Sequence, residues 1–229
     1  MYNLAIIPAR GGSKRIPGKN IKSFLGKPII AYSIETALGS GLFNNVMVST
    51  DDTKIATVAK KYGADVPFMR SHENANDYAT TSDVICEVLN EYSNQGYEVD
   101  FACCLYPTAP LIRTEQLENA FKLLTSKHFD SVISVFPFSY PVQRALHFRN
   151  EKIEMINPEF MNSRSQDLEK TYHDAGQFYF LDVKKFLIHK RLFSNNSGAI
   201  FISELQAQDI DNESDWLIAE LKYKALHKM

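Results

Sequence analysis

The sequence is poor in cysteine and in long apolar runs. Its three cysteines, Cys86, Cys103 and Cys104, fit neither a disulfide framework nor metal-ligand spacing, so we expect reduced, buried thiols in a cytoplasmic protein. No apolar stretch reaches the roughly 18 residues that a membrane-spanning helix requires. The apolar run at the start is too short for a signal peptide. These absences predict a soluble protein without a membrane partner.

The chain also lacks a large excess of either charge. It has 25 Lys and Arg against 27 Asp and Glu, and a formal net charge of −2 gives no electrostatic reason to expect nucleic-acid binding. With 45% apolar and 23% charged residues, the composition is that of a folded protein. A length of 229 residues suits one α/β domain that spans residues 1–229.

Acidic residues are absent from the start of the chain. The first 34 residues contain six cations, and the first acid is Glu35. Between Arg191 and Lys222, in contrast, the charged side chains are six acids. A protein that binds a polyphosphate with one segment and the metal of that polyphosphate with another would have this distribution.

Short apolar runs alternate with stretches of helical spacing. This alternation is typical of βαβ units around a mainly parallel sheet. The predicted strands are 4–7, 46–50, 101–106, 131–136, 178–181 and 199–202. The predicted helices are 55–62, 81–92 and 115–124, and the apolar residues of 216–226 are mostly core-like.

The alternation stops between Pro137 and about Tyr172. Connections of this length inside a compact domain are usually functional or have structure of their own. The segment also carries many apolar side chains, which favours a small excursion from the sheet that contacts another subunit. A mobile surface loop is the alternative.

A basic, glycine-rich segment follows the first predicted strand. It runs Pro8-Ala9-Arg10-Gly11-Gly12-Ser13-Lys14-Arg15 and continues to Lys19 and Asn20. In an α/β sheet, ligands bind at this end of a strand. Gly11 and Gly12 let backbone N–H groups approach a ligand, and the nearby cations supply charge. Because six cations without a counter-charge favour recruitment of an anion, the segment predicts a triphosphate site; a solvated basic turn is the alternative.

Two common phosphate-binding motifs do not fit this segment. Ser13 stands five residues before Gly18-Lys19, where the Walker motif requires glycine. The same serine takes the place of the second glycine of a dinucleotide-binding fingerprint. The sequence therefore gives little support to an ATPase or a nicotinamide-dependent oxidoreductase.

The acidic end of the chain contains Asp209-Ile210-Asp211. In extended backbone, side chains two residues apart point in the same direction, so both carboxylates could reach one hard cation such as Mg²⁺. Alternatively, Asp211 or Asn212 only caps the following helix. The presence of the basic segment favours the metal site.

Several motifs along nearly the whole chain resemble those of one enzyme family. They are PARGGSKR with Lys19 and Asn20, STDD at 49–52, LYPTAP at 105–110, SRSQD at 163–167, HDAGQFY at 173–179 and DID at 209–211. In this order and spacing they resemble the cytidylyltransferases that activate sialic and related nonulosonic acids, most closely the pseudaminic acid branch.

The resemblance implies a fold, a reaction and an assembly. The fold would be the three-layer, Rossmann-like α/β fold of nucleotide-diphosphosugar transferases, with a mainly parallel sheet. The reaction would join CTP and a free nonulosonic acid to give a CMP-sugar and pyrophosphate, with Mg²⁺ as cofactor. The protein would be a homodimer in which the excursion at residues 137–172 reaches over the partner's active site.

The resemblance also implies roles for individual residues. Nucleotide-binding residues would be Ala9, Arg10, Gly11, Gly12, Ser13, Lys19, Asn20, Arg70 and Ser82, with Arg70 and Ser82 near the cytosine. Asp209 and Asp211 would bind the metal, and together with Arg10 and Lys19 they would form the catalytic set.

The sugar side departs from the enzymes specific for N-acetylneuraminic acid. Tyr106 stands where those enzymes have Gln, and residues 173–176 replace an Arg-Pro-Asn-Gly run. These departures argue against N-acetylneuraminic acid as the substrate. We expect the sugar-binding residues to be Tyr106, Arg164, Gln166, His173 and Gln177, with Arg164 or Gln166 meeting the acceptor across the subunit interface.

Two alternatives remain open on sequence alone. The acceptor could be another acid sugar, such as N-acetylneuraminic, legionaminic or 3-deoxy-octulosonic acid. The chain could instead be a nucleotide-binding module that has lost catalysis, although the presence of Arg10, Lys19, Asp209 and Asp211 argues against that.

Overall fold

A computed structural model describes residues 1–228 of the chain. The strands are β1 (Asn3–Pro8), β2 (Ser23–Phe24), β3 (Lys27–Pro28), β4 (Asn45–Ser49), β5 (Phe101–Leu105), β6 (Ser131–Pro137), β7 (Leu146–Arg149), β8 (Lys152–Met155), β9 (Tyr172–Asp182) and β10 (Ser197–Phe201). The helices are α1 (Ile29–Gly39), α2 (Thr53–Lys61), α3 (His72–Ala75), α4 (Thr81–Asn94), α5 (Thr114–Lys127), α6 (Val183–His189) and α7 (Glu213–His227). Among these residues, no helix has the length and apolar character needed to cross a bilayer.

The central sheet has the strand order β10-β6-β9-β5-β1-β4. Neighbouring strands are parallel except for β9, which runs antiparallel to both β5 and β6. Each strand predicted from an apolar run is present, which confirms the mainly parallel sheet. The carboxyl ends of β1, β4, β5, β6 and β10 therefore meet at one edge, and β9 begins at that same edge.

Helices cover both faces of the sheet. On one face, α1, α2 and α5 pack on alternate strand residues such as Ile7, Val48 and Leu105. On the other face, α4 and α6 pack on the intervening residues, such as Ile6 and Cys104. This alternation places helices on either side of the sheet and confirms the three-layer α/β fold. Burial raises the pKa of the Cys104 thiol to about 12, so it remains protonated at neutral pH.

Helix α1 was not predicted from periodicity. Most of its residues are buried, from Ile29 through Ile34 and again at Ala37. A helix that is buried nearly all round has no polar stripe, so its sequence lacks the alternation that reveals an amphipathic helix.

A third apolar cluster attaches the C-terminal helix to the start of the chain. Trp216 of α7 packs edge-on against Phe24, with ring centroids 5.6 Å apart. Ile16 of the basic segment and Ile210 of the acidic segment belong to the same cluster. The cluster therefore fixes these two charged segments relative to each other. The core-like expectation for 216–226 holds only in part, because Ile218 and Leu221 are exposed.

The segment between β6 and β9 is an excursion with structure of its own. It contains the β7–β8 hairpin and 3-10 turns at Val142–Arg144, Pro158–Phe160 and Ser165–Asp167. None of residues 137–172 is buried. Exposed apolar side chains are numerous in it: Phe138, Tyr140, Leu146, Phe148, Ile153, Ile156, Met161 and Tyr172.

Candidate active site

A cavity of about 620 Å³ opens at the carboxyl edge of the sheet. One wall is the basic segment after β1, which contributes Arg10, Ser13, Lys14, Arg15, Lys19 and Asn20. The opposite wall consists mainly of neutral residues of the α3–α4 connection and of the segment after β5, with Arg70 at the strand ends. The cavity thus lies where the sequence predicted a ligand site, and it is strongly basic on one side.

The basic segment is held in place by its backbone. Ala9 N donates to the carbonyl of Ser49 at 2.9 Å, and Gly11 N donates to Asp51 Oδ1 at 2.8 Å. Asn20 is buried, and its Nδ2 donates to the carbonyl of Arg10 at 2.9 Å. Asn20 therefore stabilises the conformation of the loop, in addition to the nucleotide contact that the sequence predicts.

The cations of this segment have acidic partners within the protein. Asp77 accepts from both Arg10 and Lys14, at 2.8 and 2.5 Å. Asp211 Oδ2 lies 2.7 Å from Arg15 Nη1. The expectation that the cations would need an external anion is therefore incomplete, because three of them already pair with acids that are distant in the chain. Asp77 was missed because it lies 63 and 67 residues from its partners along the chain.

Lys19 joins the basic and acidic segments. Its Nζ donates to the carbonyl of Ile210 at 2.6 Å, between the two candidate metal ligands. Partial burial lowers the pKa of Lys19, although Asp211 and Asp209 oppose that shift. Partial desolvation and the neighbouring Asp211 carboxylate raise the pKa of Asp209. The two carboxylates therefore lie close enough to repel each other.

Helix capping does not account for Asp211. The side chain of Asn212 caps α7 by accepting from Asp215 N at 3.0 Å. Ile210, between the two aspartates, is fully buried, whereas Asp209 and Asp211 keep access to solvent. This alternation is that of extended backbone, and it turns both carboxylates toward solvent, where Asp211 Oδ2 pairs with Arg15.

The acidic segment reaches the basic one by crossing the sheet edge. It follows β10, at the end of the sheet remote from β1 and β4. The fully buried Gln177 of β9 supports the crossing, because its side-chain amide donates to the carbonyl of Gln206. Gln177, predicted to bind sugar, lies outside the lining of the cavity.

Arg70 lies in the cavity wall but is itself buried. Its Nε donates to Ser49 Oγ at 2.9 Å, and its Nη2 donates to the carbonyl of Ser49 at 2.5 Å. Burial lowers the pKa of Arg70, and Asp51 opposes the shift. Ser82, predicted to lie near the same pocket, is in the first turn of α4 but is not part of the lining, whereas its neighbour Thr81 is.

Tyr106 forms part of the neutral wall. Its hydroxyl lies 3.0 Å from Thr81 Oγ1, and its ring packs at 5.5 Å from that of Tyr179. Tyr179 in turn donates to Asp174 Oδ2 at 2.5 Å. Burial raises the pKa of Tyr106, so its hydroxyl is a neutral group that can donate or accept.

The remaining predicted sugar-binding residues lie away from this cavity. His173 packs against the rings of Phe136 and Phe138, with centroids 3.6 and 4.6 Å apart. Arg164 is exposed and pairs with Asp167 at 2.8 Å. Gln166 lines a separate depression formed by the excursion. The structure therefore does not bring these three residues to the cavity at the sheet edge of the same chain.

Residues 4–213 match a protein family described as cytidylyltransferase. The chain belongs to this family. The resemblance noted in the sequence is thereby confirmed, and the protein is an enzyme of the nucleotidyltransferase class.

Full-length relatives include a pseudaminic acid cytidylyltransferase from Campylobacter jejuni, 43% identical over 229 residues, with 100% of this chain and 99% of the relative covered. A CMP-N,N'-diacetyllegionaminic acid synthase from Legionella pneumophila is 33% identical, with 96% of this chain and 95% of the relative covered. The fold is shared with a solved CMP:2-keto-3-deoxy-manno-octonic acid synthetase complexed with CTP, at a TM-score of 0.72, 18% identity and complete coverage of both chains.

Proposed function

We propose that the protein transfers CMP from CTP to the anomeric hydroxyl of pseudaminic acid and releases pyrophosphate. The observation that carries this proposal is the cavity at the sheet edge, whose wall contains Arg10 and Lys19. Asp209 and Asp211 lie outside that lining, but Lys19 joins their segment to the wall through its bond to the carbonyl of Ile210. The 43% identity to a pseudaminic acid cytidylyltransferase over the whole chain supports the choice of acceptor.

The reaction needs positioning and charge stabilisation rather than a covalent intermediate. The anomeric oxygen bonds to the α-phosphorus, the bond from that phosphorus to the oxygen bridging to the β-phosphate breaks, and the hydroxyl proton passes to solvent. Arg10 and Lys19 offset the charge on the transferred and leaving phosphates. The backbone N–H of Gly12 adds a donor that carries no side-chain entropy cost, whereas that of Ser13 already donates to the carbonyl of Gly11 at 2.9 Å.

Enzymes of this family generally use a divalent metal, and we propose Mg²⁺. The donor set fits: Asp209 and Asp211 supply hard oxygen ligands, and burial together with the Asp211 carboxylate raises the pKa of Asp209 despite the nearby Lys19 and Arg15. Among residues 1–228 no three His, Cys, Asp or Glu side chains converge, so the phosphates would complete the coordination. Held by these residues, such a metal would act as a Lewis acid and offset negative charge on the phosphates.

Asp211→Ala tests the metal site. Because Asp211 is partly exposed and Asn212 caps α7, the variant should fold normally. Turnover should fall by about 10² to 10³, as is usual for the loss of one electrostatic group in an active site. Glu213→Ala, in the first turn of α7, is the control for removing an acid nearby. Undiminished turnover of Asp211→Ala at limiting Mg²⁺ would contradict the metal role.

The reaction is tested by pyrophosphate release from CTP and Mg²⁺ with pseudaminic acid, N-acetylneuraminic acid or no sugar. We expect release with pseudaminic acid and much less with the others. Preference for N-acetylneuraminic acid would show that Tyr106 does not exclude that sugar. Binding of CTP without turnover on any acid sugar would favour a binding module.

We also propose a homodimer formed through the excursion at residues 137–172. Its exposed apolar side chains support this, as does the position of Arg164 and Gln166 outside the cavity of their own chain. In the dimer these residues would meet the acceptor held by the partner. We place the enzyme in the cytoplasm, since two of its three free cysteines are fully buried thiols.

A further inference from the structure

Asp77 makes contacts that a phosphate group would also make. Its Oδ1 accepts from Arg10 Nη1 at 2.8 Å, and its Oδ2 accepts from Lys14 Nζ at 2.5 Å. Arg10 Nη1 also donates to the carbonyl of Asn76 at 3.0 Å. All four residues line the cavity. One carboxylate with a cation on each oxygen reproduces the way in which two oxygens of a phosphate bind a pair of cations.

Asp77 belongs to a strap, residues 71–80, that is held firmly at its start. Ser71 N donates to Glu87 Oε1 of α4 at 2.7 Å. Asn74 Nδ2 donates to the other oxygen of that carboxylate at 2.8 Å. These bonds fix the first half of the strap to α4.

The end of the strap is also fixed, and its middle is a turn in which Asn76 Oδ1 accepts from Tyr78 N at 2.7 Å and from Ala79 N at 3.0 Å. Thr80 caps α4 in a reciprocal capping box with Asp83. Between these anchors Tyr78 is 93% exposed, and Asp77 is exposed as well. Among the described residues, the hydrogen bonds that join the middle of the strap to the basic segment are those donated by Arg10 and Lys14.

The contact is ionic but solvent-exposed. Hydrogen bonds from Lys14 and Arg10 hold the pKa of Asp77 below its usual range, so the carboxylate is charged at neutral pH. Exposed ion pairs contribute little free energy, because water and salt screen them. A polyphosphate carrying several negative charges would therefore displace this single carboxylate from both cations.

We infer that the Asp77 carboxylate takes the place of a phosphate group in the free enzyme, where it binds Arg10 and Lys14. A polyphosphate displaces it from both cations, and it binds them again when pyrophosphate leaves. The inference rests on the proposed function, because it assumes that the basic segment binds the phosphates of CTP. Asp77 is then a positioning residue that lowers the affinity for polyphosphate and favours product release.

The test is calorimetric titration of inorganic pyrophosphate, at low salt and fixed Mg²⁺, into the unmodified protein and into Asp77→Asn. The variant keeps the size of the side chain and removes its charge. It should bind pyrophosphate more tightly, on the order of 2- to 10-fold. In turnover, the KM for CTP should fall, and kcat should fall where pyrophosphate release limits the rate.

Glu73→Gln is the matched control, because Glu73 is an exposed acid of the same strap without an ion pair among the described residues. Its affinity for pyrophosphate should stay unchanged. Unchanged or weaker binding by Asp77→Asn, or equal tightening in both variants, would overturn the inference while leaving the reaction intact. Absence of pyrophosphate binding by all three proteins would overturn both the inference and the phosphate role of the basic segment.

Discussion

At the scale of the residue, Gly11 and Gly12 have the same sequence signal but different surroundings. A Cβ on Gly11 would lie 2.9 Å from Asp52 Oδ2 and 3.0 Å from Asp52 Cβ, whereas a Cβ on Gly12 would meet nothing within 4 Å. Asp52 caps α2 by accepting from the backbone N of Lys54 and Ile55. Gly11 is therefore required by the packing of the loop on α2, while Gly12 is free to serve a ligand.

We expect Gly11→Ala to lower the free energy of unfolding by about 1–3 kcal/mol, the usual cost of overpacking. Gly12→Ala should leave stability within about 0.5 kcal/mol of the unmodified protein. Urea denaturation of both variants measures the difference. Equal stability of the two variants would mean that the contact with Asp52 relaxes without cost.

The sequence also has limits at this scale. It places Arg10, Lys19, Asp209 and Asp211 as one group, and the structure brings Lys19 to the segment between the two aspartates. Asp77 could not be predicted, because pairing across more than 60 residues leaves no local pattern. The available signal was indirect: cations without nearby acids require acids from elsewhere in the chain.

At the scale of the element, helix α7 both stabilises the fold and anchors the acidic segment. Trp216 packs against Phe24, lies under Lys22 Nζ at 4.6 Å and donates through Nε1 to Glu220 at 3.1 Å. Because α7 starts two residues after Asp211, its attachment fixes the carboxylates beside Lys19.

Trp216→Ala should lower the free energy of unfolding by about 3–5 kcal/mol, as large-to-small changes in a core do. Turnover at a temperature where the variant remains folded should also fall, because the acidic segment loses its anchor. Leu217→Ala is the neighbouring control, since Leu217 is 58% exposed and should change stability by less than about 0.5 kcal/mol. Thermal unfolding and turnover are measured on both variants. A loss of stability in Trp216→Ala without a loss of turnover would contradict the anchoring role.

The predictability of each element follows from its environment. Strands of the central sheet are predictable because they are short, apolar and bounded by turns. Helices α4 and α5 each bury one face and show it in their spacing, whereas α1 is buried nearly all round and does not. For α7, the sequence overstates burial, because Ile218 and Leu221 have the spacing of a core but lie at the surface.

At the scale of the whole molecule, the proposed dimer depends on the β7–β8 hairpin. Phe148 and Ile153 are directly paired across it and are 71% and 61% exposed. Phe148→Glu combined with Ile153→Glu should give a monomer by light scattering, because two buried charges would oppose association. Ile188→Glu, at an equally exposed apolar site on α6 (73%), should leave the dimer intact. A monomeric unmodified protein would contradict the assembly.

Mixed dimers test whether the acceptor site is shared. An Arg164→Ala subunit paired with an Asp211→Ala subunit retains one site with its own Asp211 and the partner's intact Arg164. Activity should therefore recover in the mixture to about a quarter of the unmodified level, since half of the dimers are mixed and each has one complete site. If mixed dimers form but activity does not recover, Arg164 acts in the site of its own chain.

The antiparallel direction of β9 has a consequence for how the molecule can diversify. Because β9 begins at the edge where β6 ends, the chain leaves and re-enters the sheet on the side of the cavity, and residues 138–171 add length there without altering strand order. The cavity is lined mainly by residues 8–20, 70–81 and 106–108, which precede this insertion in the chain. The length and composition of residues 138–171 can thus change without moving the strands and loops that line the cavity, so this insertion is free to vary separately from the rest of the sheet edge.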